Sequence, residues 1–278
     1  MTQTARKPLF NMNVDLMHGP IFQRLVIFML PIFVSNLFQQ LYNTVDTMIV
    51  GNVLGDTALA AIGSCGSIYE LLVGFGIGIG NGLSIVAARS YGAQDEDLLK
   101  RTVAGALVIG LCASFVITTA GFFGLRPLLQ LLDTPAEILE DAYSYIIIID
   151  LGVIVMFAYN LCAGLLRAIG NSFMPLVFLI LSSVLNVILD LVFVIGLGMS
   201  TDGVALASML SQCVSAGLIV RSLMRSKEIY SLSLKEIRFH KDKAIHALSV
   251  GVPAGLQNAI FSVANLFIQA GVNSFSTV

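Results

Sequence analysis

The stretch LPIFVSNLFQQLYNTVDTMIVGNVLG, residues 30–55, is apolar enough to cross a membrane, yet it carries a line of polar side chains ending on an acid. Asn36, Gln39, Asn43 and Asp46 are spaced by three, four and three residues, so a helix brings them onto one face. A carboxylate at membrane depth costs at least ~2.5 kcal/mol on insertion scales and is read as functional by default. Glu70, Asp150 and Asp190 also fall inside long apolar segments. Ser183, Asn186 and Asp190, spaced three and four apart, form a second polar face of the same kind. Amides and hydroxyls bonded between helices are common in membrane bundles. Two carboxylates need more than that: a cation, a proton or water. They point to an ion or proton site inside a transporter.

The composition agrees. Of 278 residues, 56% are hydrophobic and only 12% charged, with a mean hydropathy of +0.88. A soluble domain carries roughly 25% charged residues, so this is a membrane protein. Spanning takes ~20 mostly apolar residues. Seven segments qualify, near 25–50, 58–88, 102–124, 137–165, 174–198, 203–225 and 246–272. The first is too long for a cleaved signal. Fourteen of the fifteen Lys and Arg fall before the first span or in the 2–3, 4–5 and 6–7 connections, leaving only Arg126 on the other side. The positive-inside rule therefore places the N-terminus in the cytoplasm of a multi-pass protein of the cell (plasma or inner) membrane.

Several chemistries find no support. Cys65, Cys112, Cys162 and Cys213 sit singly in four different spans, as small buried apolar residues would, and give neither disulfide framework nor zinc site. His18, His240 and His246 form no HExxH-type pair, and no GxSxG nucleophile motif occurs. An enzyme, a cofactor and a nucleic-acid partner are thus not expected. The run GFGIGIGNG (74–82) has its glycines at every second position rather than as GxGxxG, and it supplies GxxxG pairs for close helix packing.

The longest and most charged connection, 226–245, reads as a cytoplasmic linker between two halves. Pro31, Asn36 and Asn43 recur as Pro253, Asn258 and Asn265 at a constant offset of 222 residues. Both helices enter from the same side, so the repeat is parallel, about an axis along the membrane normal. The expected layout is a cytoplasmic tail (1–20), a six-helix lobe (21–225), the linker (226–245) and the first helix of a second, truncated lobe (246–278).

Depth groups the polar residues. At 1.5 Å per residue, Asp46 lies ~8 Å and Asp190 ~12 Å from the outer ends of their spans, with Tyr145 and Ser208 at ~10 and ~8 Å. Four spans thus offer oxygens at one level. Glu70 and Asp150 come out deeper, at ~18–21 Å, as candidates for a substrate cavity. Glu70 alternatively pairs with a polar group on a neighbouring helix. Pro31 removes one ladder hydrogen bond and gives the first span either a hinge or a static kink.

Residues 30–55 resemble the first helix of MATE (multidrug and toxic compound extrusion) transporters of the prokaryotic, NorM-like type. RAIGNSFMPLVFLILSSVLNVILDLVFVIGLG (167–198), GVALAS (203–208) and GVPAGLQNAIFSVANLFIQAGVNSF (251–275) are similar to later parts of that family, in order and over nearly the whole chain. The resemblance implies an all-α polytopic membrane protein. It further implies a fold of twelve helices in two lobes, of which this chain holds the N-lobe and the seventh helix, the rest of the C-lobe lying in the full-length protein. It implies H+ or Na+ coupling at Asp46, Asn186, Asp190, Ser208 and Tyr145. Asn36, Gln39, Asn43, Glu70 and Asp150 then border the substrate cavity, and Pro31 is a hinge. Glu70 and Asp150 are not positions of the family's N-lobe site. The seventh span carries no acid, which favours coupling in the N-lobe.

The expected activity is secondary antiport of amphipathic or cationic compounds against H+ or Na+, in contact with the lipid bilayer. A flippase for lipid-linked or polysaccharide precursors shares the broader superfamily fold, but wants cavity cations for pyrophosphate, whereas the cytoplasmic Lys and Arg here lie at helix ends and in loops. A seven-helix receptor or sensor fits the span count but predicts an external N-terminus.

Overall fold

The computed structural model describes residues 14–16, 19–225 and scattered positions between 249 and 271. The 226–245 linker, the three histidines and Asn258 lie outside the described residues. The helices are α1 (Ile21–Val53), α2 (Asp56–Gly92), α3 (Glu96–Leu131), α4 (Leu139–Leu151), α5 (Val153–Ala168), α6 (Phe173–Asp190) and α7 (Thr201–Arg225), with a π-helical turn, Leu191–Gly196, continuing α6. Among the described residues, five helical stretches are long and apolar enough to cross a membrane, and α4 with α5 makes a sixth as one bent span. Helices are the expected solution, because each satisfies its own backbone polar groups where no water can.

Turn chemistry sets the ends. Gly55 stops α1 at φ +85°, and its N–H, like that of Leu54, returns to the Val50 carbonyl. Gly170 (φ +86°) closes α5 with Val14 against it: a Cβ there would lie 2.4 Å from the Val14 oxygen. Asn171 then caps α6, its Oδ1 accepting the Met174 N–H at 3.0 Å.

Helix α2 is central, packed on α3, α4 and α5, while α7 packs on α4, α5 and α6. Helix α1 leans mainly on α6, and within it only Val50 is buried. Among the described residues the core has four patches, the largest built from Cys65, Ile68 and Leu72 of α2, Leu125 and Leu129 of α3, and Ile146 and Ile149 of α4. Phe33, Phe115, Phe123 and Leu131 point outward, while Ser64, Ser90, Ser114, Ser211 and Ser215 are buried. That inversion of the soluble pattern suits a bundle whose helices meet through small residues in lipid.

The glycine run is a packing device. Gly80 faces the backbone of Asn160 and Leu161 across α5, and a Cβ on Gly164 would sit 3.0 Å from Ser84 Cβ. Three features differ from the expected pattern. The fourth span is not one helix over 137–165 but turns by 47° between α4 and α5. There Gly152 leaves room for Met209 of α7, whose Cε would lie 1.8 Å from a Cβ. The fifth span ends as a π-turn directly after Asp190, a widening that recurs at functional sites. Of the cysteines, Cys65 and Cys162 are buried but Cys112 and Cys213 are exposed, because a membrane bundle also presents small apolar groups outward.

Candidate functional site

Asp46 and Asp190 meet. Their carboxyl groups, from α1 and from the junction of α6 with the π-turn, are in hydrogen-bonding contact. Asp190 is 0% and Asn186 1% exposed. Asp46 Oδ1 and Asp190 Oδ1 are buried without a donor among the described residues. Two carboxyl groups in contact require a positive charge or a shared proton between them. The two free oxygens supply ligands of the right hardness for a small monovalent cation. Among the described residues, no three His, Cys, Asp or Glu side chains cluster as a metal centre.

A directed chain of hydrogen bonds runs away from the pair. Asn186, one turn before Asp190, satisfies both ends of its amide with Nδ2 donating to Asp190 Oδ2 at 2.9 Å. Its Oδ1 accepts from Ser208 N at 3.1 Å and Ser208 Oγ at 3.3 Å. The Tyr42 hydroxyl lies 3.3 Å from Ser208 Oγ and completes the chain by donating to it. Asp46, Asp190, Tyr145 and Ser208 stand six or seven residues from the ends of their helical segments, ~9–11 Å in depth by helix rise.

The site borders a cavity of about 400 Å³. Gln39, Asn43, Asp46, Tyr145 and Ser208 line it, so part of the α1 polar face points inward. Asn186 and Asp190 stand behind that wall, fully covered. Farther along, the cavity is lined by Asn160, Ser183, Ser211 and Gln212. The lining mixes polar and apolar side chains, as small-molecule sites do.

Three cavity candidates lie elsewhere among the described residues. Asn36 is exposed on α1 outside the lining. Glu70 accepts a hydrogen bond from Asn265 Nδ2, the alternative of a polar partner on another helix. Asp150 is 0% exposed, wedged against α3: a Cβ on Gly121 would lie 2.4 Å from either carboxylate oxygen. Its backbone carbonyl accepts Thr118 Oγ1 at 3.0 Å, while neither carboxylate oxygen has a hydrogen-bond partner among the described residues. One step of helical rotation separates Asp150 from Ile149, which does line the cavity. Asp150→Asn, which removes that buried charge, is expected to leave thermal stability in detergent within about 1 kcal/mol of wild type, or to raise it. A loss of the ~3–5 kcal/mol typical of a broken buried ion pair would reveal a cationic partner for it.

Tyr42 and Tyr69, both lining the cavity, escaped the sequence reading. Tyr42 sits four residues before Asp46 and three after Gln39, squarely on the polar face. Counting a tyrosine as apolar hides it. Pro31 lies inside α1, which stays helical through it, with Ser35 Oγ donating to the Pro31 carbonyl at 2.8 Å.

Known proteins resemble this chain over nearly its whole length. The chain is 29% identical over 261 residues to the probable multidrug resistance protein YpnP of Bacillus subtilis, covering 94% of this chain and 58% of that protein. It is 26% identical to the multidrug export protein MepA of Staphylococcus saprophyticus, covering 92% of this chain and 57% of MepA. A crystal structure of MATE in the bent conformation superposes with a TM-score of 0.82 at 26% identity, covering 91% of this chain and 57% of that one. The chain thus spans a little under three fifths of the length of these relatives. The MatE family model matches residues 31–192, from the proline of α1 through the Asp46 and Asp190 positions. With more than half of its length matched by that model, this chain belongs to the MATE family of membrane transporters, not to the enzymes.

Proposed function

We propose that this chain forms the N-lobe and the seventh helix of a two-lobed antiporter that exports amphipathic, often cationic, compounds in exchange for H+ or Na+. Residues 21–225 are the lobe, 226–245 a cytoplasmic linker and 246–278 the start of the second lobe, in a cell-membrane protein with a cytoplasmic N-terminus. The contact between the Asp46 and Asp190 carboxyl groups at the wall of a drug-sized cavity carries this reading. A cation arriving from outside satisfies the pair and holds α1 against α6. Without it, the two carboxylates repel and α1, buried only at Val50, is free to shift. Pro31 is the point where the helix ladder already lacks a bond. Coupling then requires only that cation and drug prefer opposite conformations.

The test is export of a lipophilic fluorescent cation from proteoliposomes carrying the complete transporter, with H+ and Na+ gradients imposed separately. One gradient is expected to accelerate export and the other to be inert, which identifies the ion. Export indifferent to both gradients contradicts antiport.

A further inference from the structure

Glu70 takes no part in the Asp46–Asp190 site, yet it is engaged. Ser67 and Glu70 are three residues apart and share one face of α2. Both reach the same residue of the seventh span, nearly 200 positions along the chain. Asn265 Nδ2 donates to Glu70 Oε2, and Ser67 Oγ donates to the Asn265 carbonyl at 3.2 Å. Ser67 is buried beneath the contact while Glu70 is exposed at its edge. Leu256, Ile260, Phe267 and Ile268 of the same span are exposed, so these large apolar side chains do not anchor it to the lobe.

A polar attachment of this kind differs in behaviour from an apolar seam. Interlocked side chains pack in discrete arrangements. A carboxylate at an exposed edge, like that of Glu70, can exchange a protein partner for water and take it back, and the buried Ser67 hydroxyl follows when the contact parts. We propose that Ser67 and Glu70 form a clasp that holds the seventh span against α2 in this conformation and opens in every transport cycle. Opening hands the Glu70 carboxylate from Asn265 to the cleft between the halves. The clasp rests on the transport reading above, since it needs a cycle in which the halves move.

The experiment uses the complete transporter with Cys65, Cys112, Cys162 and Cys213 replaced by Ser, and with Ser67→Cys and Asn265→Cys introduced. A short, reducible bis-thiol reagent links the pair, and export of a lipophilic fluorescent cation is followed before linking, after it and after reduction. The clasp predicts ready linking, export falling to background and full recovery on reduction. Failure to link overturns the contact, and a linked protein that exports at the unlinked rate overturns its opening. Glu70→Gln and Glu70→Ala, made in the natural cysteine background, give an independent reading. Gln keeps an acceptor for Asn265 and should keep most of the export that Ala loses; equal rates for both variants and wild type overturn the clasp. If the wild-type transporter exports nothing, the transport reading itself has failed, and the clasp falls with it.

Discussion

Replacing Asp46 by Asn is expected to abolish cation-coupled export while leaving the lobe folded. Asn keeps the size of the side chain and can still hydrogen-bond Asp190, so the α1–α6 contact survives. It cannot take up a proton, and it halves the negative charge available to a sodium ion. Asp190→Asn should do the same from the other side, with a loss on the order of 10²-fold for either change. Because the two carboxyls act as one unit, the double variant should be no worse than either single one. Binding of the drug to the cavity, followed by quenching of its fluorescence, should persist in all three. Clearly additive losses would mean that the aspartates work separately, and the paired site would be wrong.

The second large effect is on folding. A Cβ on Gly110 of α3 would lie 1.6 Å from Cε1 and 2.2 Å from Cζ of Phe157 in α5. The ring occupies the space a side chain would need, in the core patch formed with Ala87, Leu99 and Leu161. Gly110→Val should therefore cost at least ~3 kcal/mol of stability, the upper range for overpacking, and reduce the yield of folded protein. Gly124, on the same helix, has nothing within 4 Å of its would-be Cβ. Gly124→Ala should be neutral or gain up to ~1 kcal/mol from helix propensity. Thermal unfolding in detergent separates the two. Combining Gly110→Val with Phe157→Ala should recover part of the loss, since the smaller side chain vacates the ring's place.

How much of this was written in the sequence depends on the range over which each feature is encoded. The spans were legible because a membrane helix must satisfy itself within ~20 consecutive residues. The Asp46 and Asp190 faces were legible because helical spacing is local. Features that depend on a second helix were not. The turn at Gly152 needs Met209 of α7 to fill the space the glycine leaves. The placement of Asp150 away from the cavity turns on a single step around the helix relative to Ile149. Glu70 finds Asn265 far along the chain, and no local pattern announces it. The π-turn after Asp190 has no distinctive composition: LVFVIG reads as ordinary apolar helix. Tyr42 is a different case, since its position was on the polar face and only its ring disguised it.

One cation site, made by Asp46 and Asp190, is expected to exchange its ion against drug. It is tested most directly by running the exchange backwards. Proteoliposomes carrying the complete transporter are given a drug gradient and no ion gradient, and internal pH and sodium are followed with indicator dyes. In the wild type, drug moving one way should drive H+ or Na+ the other way, and Asp46→Asn should abolish the ion movement. Drug-driven ion movement that persists undiminished in Asp46→Asn would contradict it.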